Sequence, residues 1–124
     1  MGVAVRGDDV GGVDVGGGAA RRGVRPREGA PQLLKVLGEP VRWAIVSRLA
    51  AEDLCTCHLV DDLGVSQPLI SHHLRVLREA GVVHAEPAGA FTYYVLDRAV
   101  VAGLAGTVGA LAGGDEAPSR RACP

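Results

Sequence analysis

Apolar residues recur at helical spacing from Gln32 onward, and the pattern predicts a series of short helices. A first helix ends at Gly38, and Pro40 suits the first turn of a second helix. The aliphatic positions are Leu33, Leu34 and Leu37 in the first helix and Val41, Ile45 and Leu49 in the second. The second set repeats every four residues, which indicates one buried stripe.

A helix, a tight turn with glycine and another helix follow between Thr56 and Gly81. The first of these helices is predicted over about 56–63, where Gly64 suits a C-terminal cap. Ser66 suits the N-cap of the next helix. The buried face of that helix is predicted to hold Ile70, Leu74 and Leu77. This succession is typical of the helix-turn-helix motif.

Two β-rich segments come next, Val82 to Glu86 and Phe91 to Leu96. Pro87 to Ala90 separate them and are predicted to form a short hairpin loop. The expected fold is therefore mainly α with a small β-hairpin, a winged helix-turn-helix.

Asp97 is predicted to cap a last helix. Its apolar residues form a narrow stripe, as in a coiled coil: Val101, Leu104, Val108 and Leu111. Gly103, Gly106 and Gly109 weaken this helix intrinsically. We therefore expect it to pack against a second subunit, so that the first and last helices form a homodimer.

The chain divides into three predicted regions. Residues 1–31 hold nine of the 18 glycines and no sustained period, which predicts a disordered tail. Its arginines Arg21, Arg22, Arg25 and Arg27 favour a solvated linker, with a phosphate-contacting arm as the alternative. Residues 32–112 form the predicted DNA-binding and dimerisation domain, and residues 113–124 form a flexible tail with Cys123.

Composition narrows the class of protein. No stretch of 18 apolar residues occurs in the 124-residue chain, so no membrane span is expected. Three cysteines do not make an extracellular disulfide framework, and the spacing of Cys55 and Cys57 is poor for a structural bridge. We expect a cytoplasmic protein whose thiols act as ligands or redox groups.

The charge balance gives no general attraction to nucleic acid, because the net charge is −1 and residues 32–112 hold six basic and eight acidic side chains. The hairpin loop also lacks Arg and Lys. Since phosphate contacts supply most non-specific affinity, the sequence predicts a weak, salt-sensitive DNA binder that depends on dimerisation.

Two segments resemble the ArsR/SmtB family of metal-sensing winged-helix repressors, and the likeness extends over about residues 32 to 112. They read DLCTCHLVDDLG and SQPLISHHLRVLREAGVV. The first is similar to the thiol site at the third helix of arsenic- and antimony-sensing members, and the second to their recognition helix. The resemblance implies a homodimer that binds operator DNA and leaves it when a ligand binds. The family's other sensor position, on the last helix, lacks His and carboxylates here between residues 98 and 112.

The recognition helix of such a motif lies in the major groove with its N-terminal residues near the base edges. Gln pairs with adenine, and Ser contacts several bases. The candidate contacts to double-stranded operator DNA are Ser66, Gln67, Ser71, His72, His73 and Arg75, with His73 better suited to the DNA backbone or to packing.

Cys55 and Cys57 are the candidate metal ligands. On a regular helix, residues two apart point about 200° away from each other, so both sulfurs reach one ion only at a helix start. A helix N-terminus favours the thiolate, and thiolates select soft ions. Arsenite or antimonite requires a third sulfur, for which Cys123 is the candidate. His58 is the alternative ligand and favours Zn, Cd or Ni.

We expect ion capture to distort the start of the third helix and thereby the recognition helix. A thiol redox switch and a metal-independent winged-helix regulator are the alternatives. A small thiol-dependent reductase is a further alternative. The chain has no Gly-rich phosphate loop or Ser/His/Asp framework, so we expect no enzyme.

Overall fold

The computed structural model describes residues 29–114 and 117–123, and the predicted N-terminal tail lies almost wholly outside them. Five α-helices and a small sheet make up the described part of the chain. In order, they are α1 (Ala30–Leu37), α2 (Pro40–Leu49), β1 (Leu54–Cys55), α3 (Thr56–Leu63), α4 (Gln67–Glu79), β2 (Val83–Ala88), β3 (Phe91–Leu96) and α5 (Arg98–Gly109), with a 3-10 turn at Ala110–Ala112. None of these helices has the length and hydropathy of a membrane span.

The turn between α3 and α4 is built as its sequence predicts. Gly64 ends α3 with φ 64°, the left-handed conformation in which glycine has no Cβ to clash. Ser66 begins α4, where its hydroxyl accepts a hydrogen bond from the Leu69 N–H at 3.4 Å. These caps set where α3 ends and where α4 begins, and the winged helix-turn-helix fold is confirmed.

The wing has three strands, not the two that were predicted. All pairs are antiparallel and the strand order is β1-β3-β2. The extra strand β1 pairs Leu54 with Tyr94 and Cys55 with Tyr93. A strand of two residues has no periodicity to reveal it, and it exists because β3 offers a free edge.

The prediction of a four-residue hairpin loop in the wing was wrong. Ala88 pairs with Phe91, so only Gly89 and Ala90 remain outside the ladder. Gly89 makes so short a turn possible because its φ is 64°. Pro87 fits into β2 because this strand lies at the edge of the sheet, where a missing N–H costs no ladder hydrogen bond.

One aliphatic core holds the helices against the sheet. Its fully buried members are Ile45, Leu49, Leu59, Ile70, Leu74, Leu77, Val82 and Val83. Each helix from α2 to α4 contributes to this set, so a shift of α3 is transmitted to α4 through direct side-chain packing.

Helix α5 packs through fewer residues than its stripe suggested. Asp97 caps it as predicted, accepting the Val100 N–H at 3.1 Å. Val100 and Leu104 are buried, so Val100 takes the place predicted for Val101, which is only half-buried. Val108 is 40% exposed and Leu111 87% exposed. Within the described part of one chain, the two residues at the C-terminal end of this apolar stripe are therefore not buried by other side chains.

Candidate metal site and DNA-binding surface

Cys55 and Cys57 lie at the start of α3, the one place on a helix where their side chains can converge. Cys55 is the N-cap residue, with extended backbone (φ −91°, ψ 169°). Cys57 is in the first turn. The two Cα atoms are 5.5 Å apart, and the sulfurs are in disulfide contact. The sequence had predicted a poor spacing for a bridge. The extended cap removes that obstacle, because it turns Cys55 toward its neighbour.

His58 completes a three-residue cluster with the two thiols. One ligand atom from each of Cys55, Cys57 and His58 lies within 4.8 Å of the others. Cys55 is buried, whereas Cys57 and His58 are exposed, so an ion can enter from solvent. Cys123 is an exposed free thiol and is not a member of this cluster. Two soft sulfurs and an imidazole nitrogen fit a thiophilic ion.

The imidazole of His58 already has a structural partner. Its Nδ1 accepts the Cys55 N–H at 3.2 Å and lies 3.3 Å from the Cys55 sulfur. The ring thus satisfies one of the free N–H groups at the helix start. If Nδ1 ligated an ion, this hydrogen bond would break.

The cluster is joined to both DNA-facing elements of the fold. Leu59 on α3 and Ile70 on α4 are both completely buried in the shared core. Cys55 itself belongs to β1, whose partner Tyr93 is in the wing strand β3. A displacement of Cys55 therefore acts on the recognition helix through α3 and on the wing through the sheet.

Five of the six predicted DNA contacts lie on the open side of α4 and its cap. Ser66, Gln67, Ser71, His72 and Arg75 are all exposed. Gln67, Ser71 and Arg75 are spaced four residues apart and therefore share one face. This exposed polar face is the surface that the sequence predicted for DNA.

His73 is the exception, and we remove it from the proposed DNA contacts. Its side chain is buried, with 6% of its surface exposed. Nη1 of the Arg42 guanidinium lies 3.0 Å from Nδ1 of the His73 ring. Because arginine only donates, the ring accepts this hydrogen bond and is neutral. His73 follows Ile70 by three residues on the buried face, a spacing that could have revealed its position.

The polar network around His73 could not be predicted from the sequence. Arg42 Nε donates to the Val36 carbonyl at 2.6 Å, which links α1 to α2. The Glu39 carboxylate accepts the Arg42 N–H at 2.8 Å, and this hydrogen bond holds the pKa of Glu39 below its usual range. The network therefore connects α1, α2 and the recognition helix α4.

The buried ring of His73 should make the fold sensitive to acid. Burial lowers the pKa of His73 below its ordinary value of 6.5. The unfolded chain therefore binds the proton more tightly, so this contribution to stability is complete above about pH 6.5 and is lost as the pH falls. We expect the free energy of unfolding in urea to decrease from pH 7 to about pH 5. His73→Gln should make that decrease shallower.

The matched control is His72→Gln, an exposed neighbour on the same helix. It should change the pH dependence of stability less than His73→Gln does, because the charge of His72 lowers the pKa of His73 less than burial does. An equal change in the wild type and in His73→Gln would show that His73 is not the group responsible.

Comparisons with known proteins agree with this geometry. The family model for the bacterial regulatory proteins of the arsR family matches residues 39–85. The regulator MJ1325 of Methanocaldococcus jannaschii, an uncharacterised helix-turn-helix protein, is 40% identical over 72 residues, which are 56% of this chain and 81% of that protein. The chain belongs to the ArsR family. It is accordingly a winged helix-turn-helix transcriptional regulator.

Other ArsR-family relatives match over a smaller share of their length. The repressor SmtB of Mycobacterium tuberculosis is 47% identical over 74 residues, which are 57% of this chain and 55% of SmtB. The arsenical resistance operon repressor of Escherichia coli is 41% identical over 66 residues, 52% of this chain and 56% of that protein. The chain thus spans little more than half of these two relatives.

Solved structures show the same fold. A crystal structure described as a "possible transcriptional regulator for arsenical resistance" superposes with a TM-score of 0.58 at 36% identity, covering 63% of this chain and 81% of the other. A homodimeric winged helix-turn-helix domain from Mycobacterium bovis gives a TM-score of 0.56 at 24% identity, covering 66% of this chain and 76% of that domain. The second likeness concerns the fold alone.

Proposed function

We propose that this ArsR-family regulator binds operator DNA as a homodimer and releases it when arsenite or antimonite binds Cys55 and Cys57. The observation that carries the proposal is the cluster of Cys55, Cys57 and His58, whose ligand atoms lie within 4.8 Å of one another at the start of α3. The Escherichia coli repressor and the solved structure whose names refer to arsenical resistance support the choice of ion. Cd, Zn and Ni are the alternatives if His58 supplies a nitrogen.

We propose that binding of the third ligand, and not the approach of the two sulfurs, strains the start of α3. The two sulfurs already meet while α3 begins regularly at Cys55, so bringing them together does not by itself disturb the helix. Recruiting His58 through Nδ1 breaks its hydrogen bond with the Cys55 N–H. Recruiting Cys123 instead, from the same or the partner chain, draws the C-terminal tail across the helix start. Either event displaces Cys55, which β1 and α3 share.

The displacement must favour a state that does not fit DNA. In the dimer, the two recognition helices must remain about 34 Å apart to enter successive major grooves. A shift of α3 moves α4 through the buried core, and a shift of β1 moves the wing. The ion weakens DNA binding only by as much as it prefers the displaced state.

The proposed domain runs from about residue 32 to 112 and includes both the reading surface and the dimer surface. Leu34 on α1 is 49% exposed, and Val108 and Leu111 are exposed at the end of α5. Helices α1 and α5 pack together within the chain, and we propose that these exposed side chains contribute to the dimer surface. We place the protein in the cytoplasm, where its thiols remain reduced.

The disulfide contact between Cys55 and Cys57 favours a second candidate function, a thiol redox switch. Oxidation of the pair to a disulfide removes two hydrogen atoms, which an oxidant such as a peroxide accepts. This modification needs neither a third ligand nor Cys123.

One titration separates the two candidates. The wild-type protein is reduced with a phosphine, separated from it on a desalting column without oxygen, and bound to a fluorescent duplex selected from randomised DNA. Arsenite or hydrogen peroxide is then added, and release is followed by fluorescence anisotropy. We expect arsenite to release the duplex at about one ion per subunit. Release by peroxide with no response to arsenite would establish the redox function instead.

A further inference from the structure

The buried network around Arg42 takes no part in the metal site, yet it is attached to the recognition helix. Arg42 lies on α2 and contacts a helix on each side. Its Nε donates to the Val36 carbonyl of α1 at 2.6 Å, and its Nη1 lies 3.0 Å from His73 Nδ1 on α4. One guanidinium therefore holds α4 against the end of α1, a helix that we place in the dimer surface.

The hydrogen bond between Arg42 and His73 exists only while the His73 ring is neutral. A guanidinium can only donate, so Nδ1 is the acceptor and the ring hydrogen is on Nε2. A second proton would bind at Nδ1, and two cations would then face each other across the 3.0 Å contact. Like charges at this distance repel strongly where little water screens them.

The opposite nitrogen of the same ring faces a carboxylate. Glu39 lies 3.8 Å from His73 Nε2, and its Oε1 also accepts the Arg42 N–H at the start of α2. Protonation of the ring strengthens its attraction to Glu39 and abolishes its hydrogen bond with Arg42. The network therefore has two arrangements, one with neutral His73 bound to Arg42 and one with charged His73 drawn to Glu39.

Few charged groups face the His73 ring. Burial lowers the pKa of His73 below its ordinary value, the charge of Glu39 raises it, and the charges of Arg42 and His72 lower it. Helix α3 and strand β2 also pack against α4, and within the described residues neither contributes a charged group that acts on the ring. The ring is consequently neutral at neutral pH and binds a proton only in acid.

His73 is well placed to affect the DNA-facing side of the recognition helix. It is the central residue of the 13-residue helix α4. Its ring centroid lies 5.1 Å from that of His72, an exposed candidate DNA contact. Because a helix moves largely as one body, a change in how its centre is held alters the angle at which Gln67 and His72 meet the major groove.

We propose that Arg42 is a positioning residue for DNA binding, because its hydrogen bond to neutral His73 sets the angle at which the recognition helix meets the operator. Protonation of His73 breaks this hydrogen bond, so acid releases operator DNA without any reaction at the thiols. The inference rests on the proposed DNA-binding function and adds a proton as a second regulating ligand. Linkage then requires that DNA-bound protein take up this proton less readily than free protein.

The test measures the operator affinity of the reduced full-length protein by fluorescence anisotropy, from about pH 7.5 to pH 5 at constant ionic strength. Each proton that DNA binding excludes lowers the affinity by up to about tenfold per pH unit below the pKa of the group. We expect the wild-type affinity to fall at least roughly fivefold over this range. The exposed histidines act in the opposite direction, because added positive charge near DNA strengthens binding.

His73→Gln separates this role from simple packing. The glutamine amide oxygen can accept the Arg42 hydrogen bond but binds no proton in this range, so the affinity of the variant should not fall in acid. Glu39→Gln keeps an oxygen for the Arg42 N–H and removes the charge that raises the pKa of His73. In this second variant the fall should therefore occur at lower pH than in the wild type.

Two substitutions of Arg42 distinguish its geometry from its charge. Arg42→Gln and Arg42→Lys should both weaken operator binding roughly tenfold near neutral pH, since lysine keeps the charge but lacks the planar fork that contacts two partners. Both should also lose the fall in acid. Wild-type affinity and a wild-type pH profile in Arg42→Lys would show that only the charge matters and would contradict the positioning role.

His72→Gln is the matched control on the same helix. It should keep the fall in acid or enlarge it, because a protonated His72 opposes the fall. Circular dichroism at each pH confirms that every variant is folded. A wild-type affinity that is constant or rises in acid, or an undiminished fall in His73→Gln, would overturn the proposal. A protein that shows the predicted pH profiles but responds to neither arsenite nor peroxide would support the role of Arg42 and refute the proposed function.

Discussion

Replacing Cys57 with serine should leave the repressor bound to its operator when arsenite is added. Serine keeps the size and the helical position of Cys57 but removes the thiolate on which a soft ion depends. Because Cys57 is exposed, the substitution should not disturb the core. We expect operator affinity without arsenite to stay within about twofold of wild type. The arsenite concentration needed for half release should rise at least roughly a hundredfold. Fluorescence anisotropy measures both quantities.

Cys55→Ser and Cys123→Ser complete this series and identify the third ligand. Cys55→Ser should block release as Cys57→Ser does, although Cys55 is buried and some loss of stability is expected. Cys123→Ser should give a partial defect if its sulfur completes the site. If His58 completes it, Cys123→Ser should behave as wild type and His58→Ala should show the defect. Normal release from Cys57→Ser would refute the proposed site.

Replacing Val108 with aspartate should separate the homodimer into monomers. Val108 is 40% exposed on α5, next to the still more exposed Leu111, and we propose that both are covered by the partner subunit. A charge buried there without a partner is strongly unfavourable. Sedimentation velocity should show a monomer at concentrations where the wild type is a dimer.

The same substitution should weaken operator binding by roughly a hundredfold or more. A dimer binds its second half-site at a high effective concentration, and a monomer loses this advantage. Ala99→Asp is the control, since it adds the same charge at an exposed position of α5 on the side of the helix opposite Val108. Its effect shows whether charge alone weakens DNA binding. A dimeric Val108→Asp protein with wild-type operator affinity would place the dimer interface elsewhere.

Local patterns were sufficient to predict the helix-turn-helix but not every part of the wing. The bounds of α3 followed from its apolar period and from Gly64, and the start of α4 followed from Ser66. These signals lie within a few residues of the elements they define. By contrast, β1 depends on pairing with β3, which is almost forty residues away along the chain. Strand β1 could therefore not be predicted from any local sequence pattern.

The same distinction holds for the candidate site. The convergence of Cys55 and Cys57 could be predicted because it depends only on the geometry of a helix start. The spacing of His73 from Ile70 could have indicated its burial, but its contact with Arg42 depends on how α2 packs against α4, which no local pattern predicts.

Strand β1, which could not be predicted, connects the thiols to a second DNA-facing element. Cys55 is both the cap of α3 and a member of β1. One displaced residue therefore acts on the recognition helix and on the wing together.

We propose that ion binding at the thiols and DNA binding at α4 are energetically coupled, and this coupling can be measured from both ligands. Calorimetry would measure arsenite affinity for the free protein and for the protein saturated with operator. Anisotropy would measure operator affinity with and without arsenite. We expect the two ratios to be equal and larger than about ten. Equal arsenite affinity for free and operator-bound protein would contradict it.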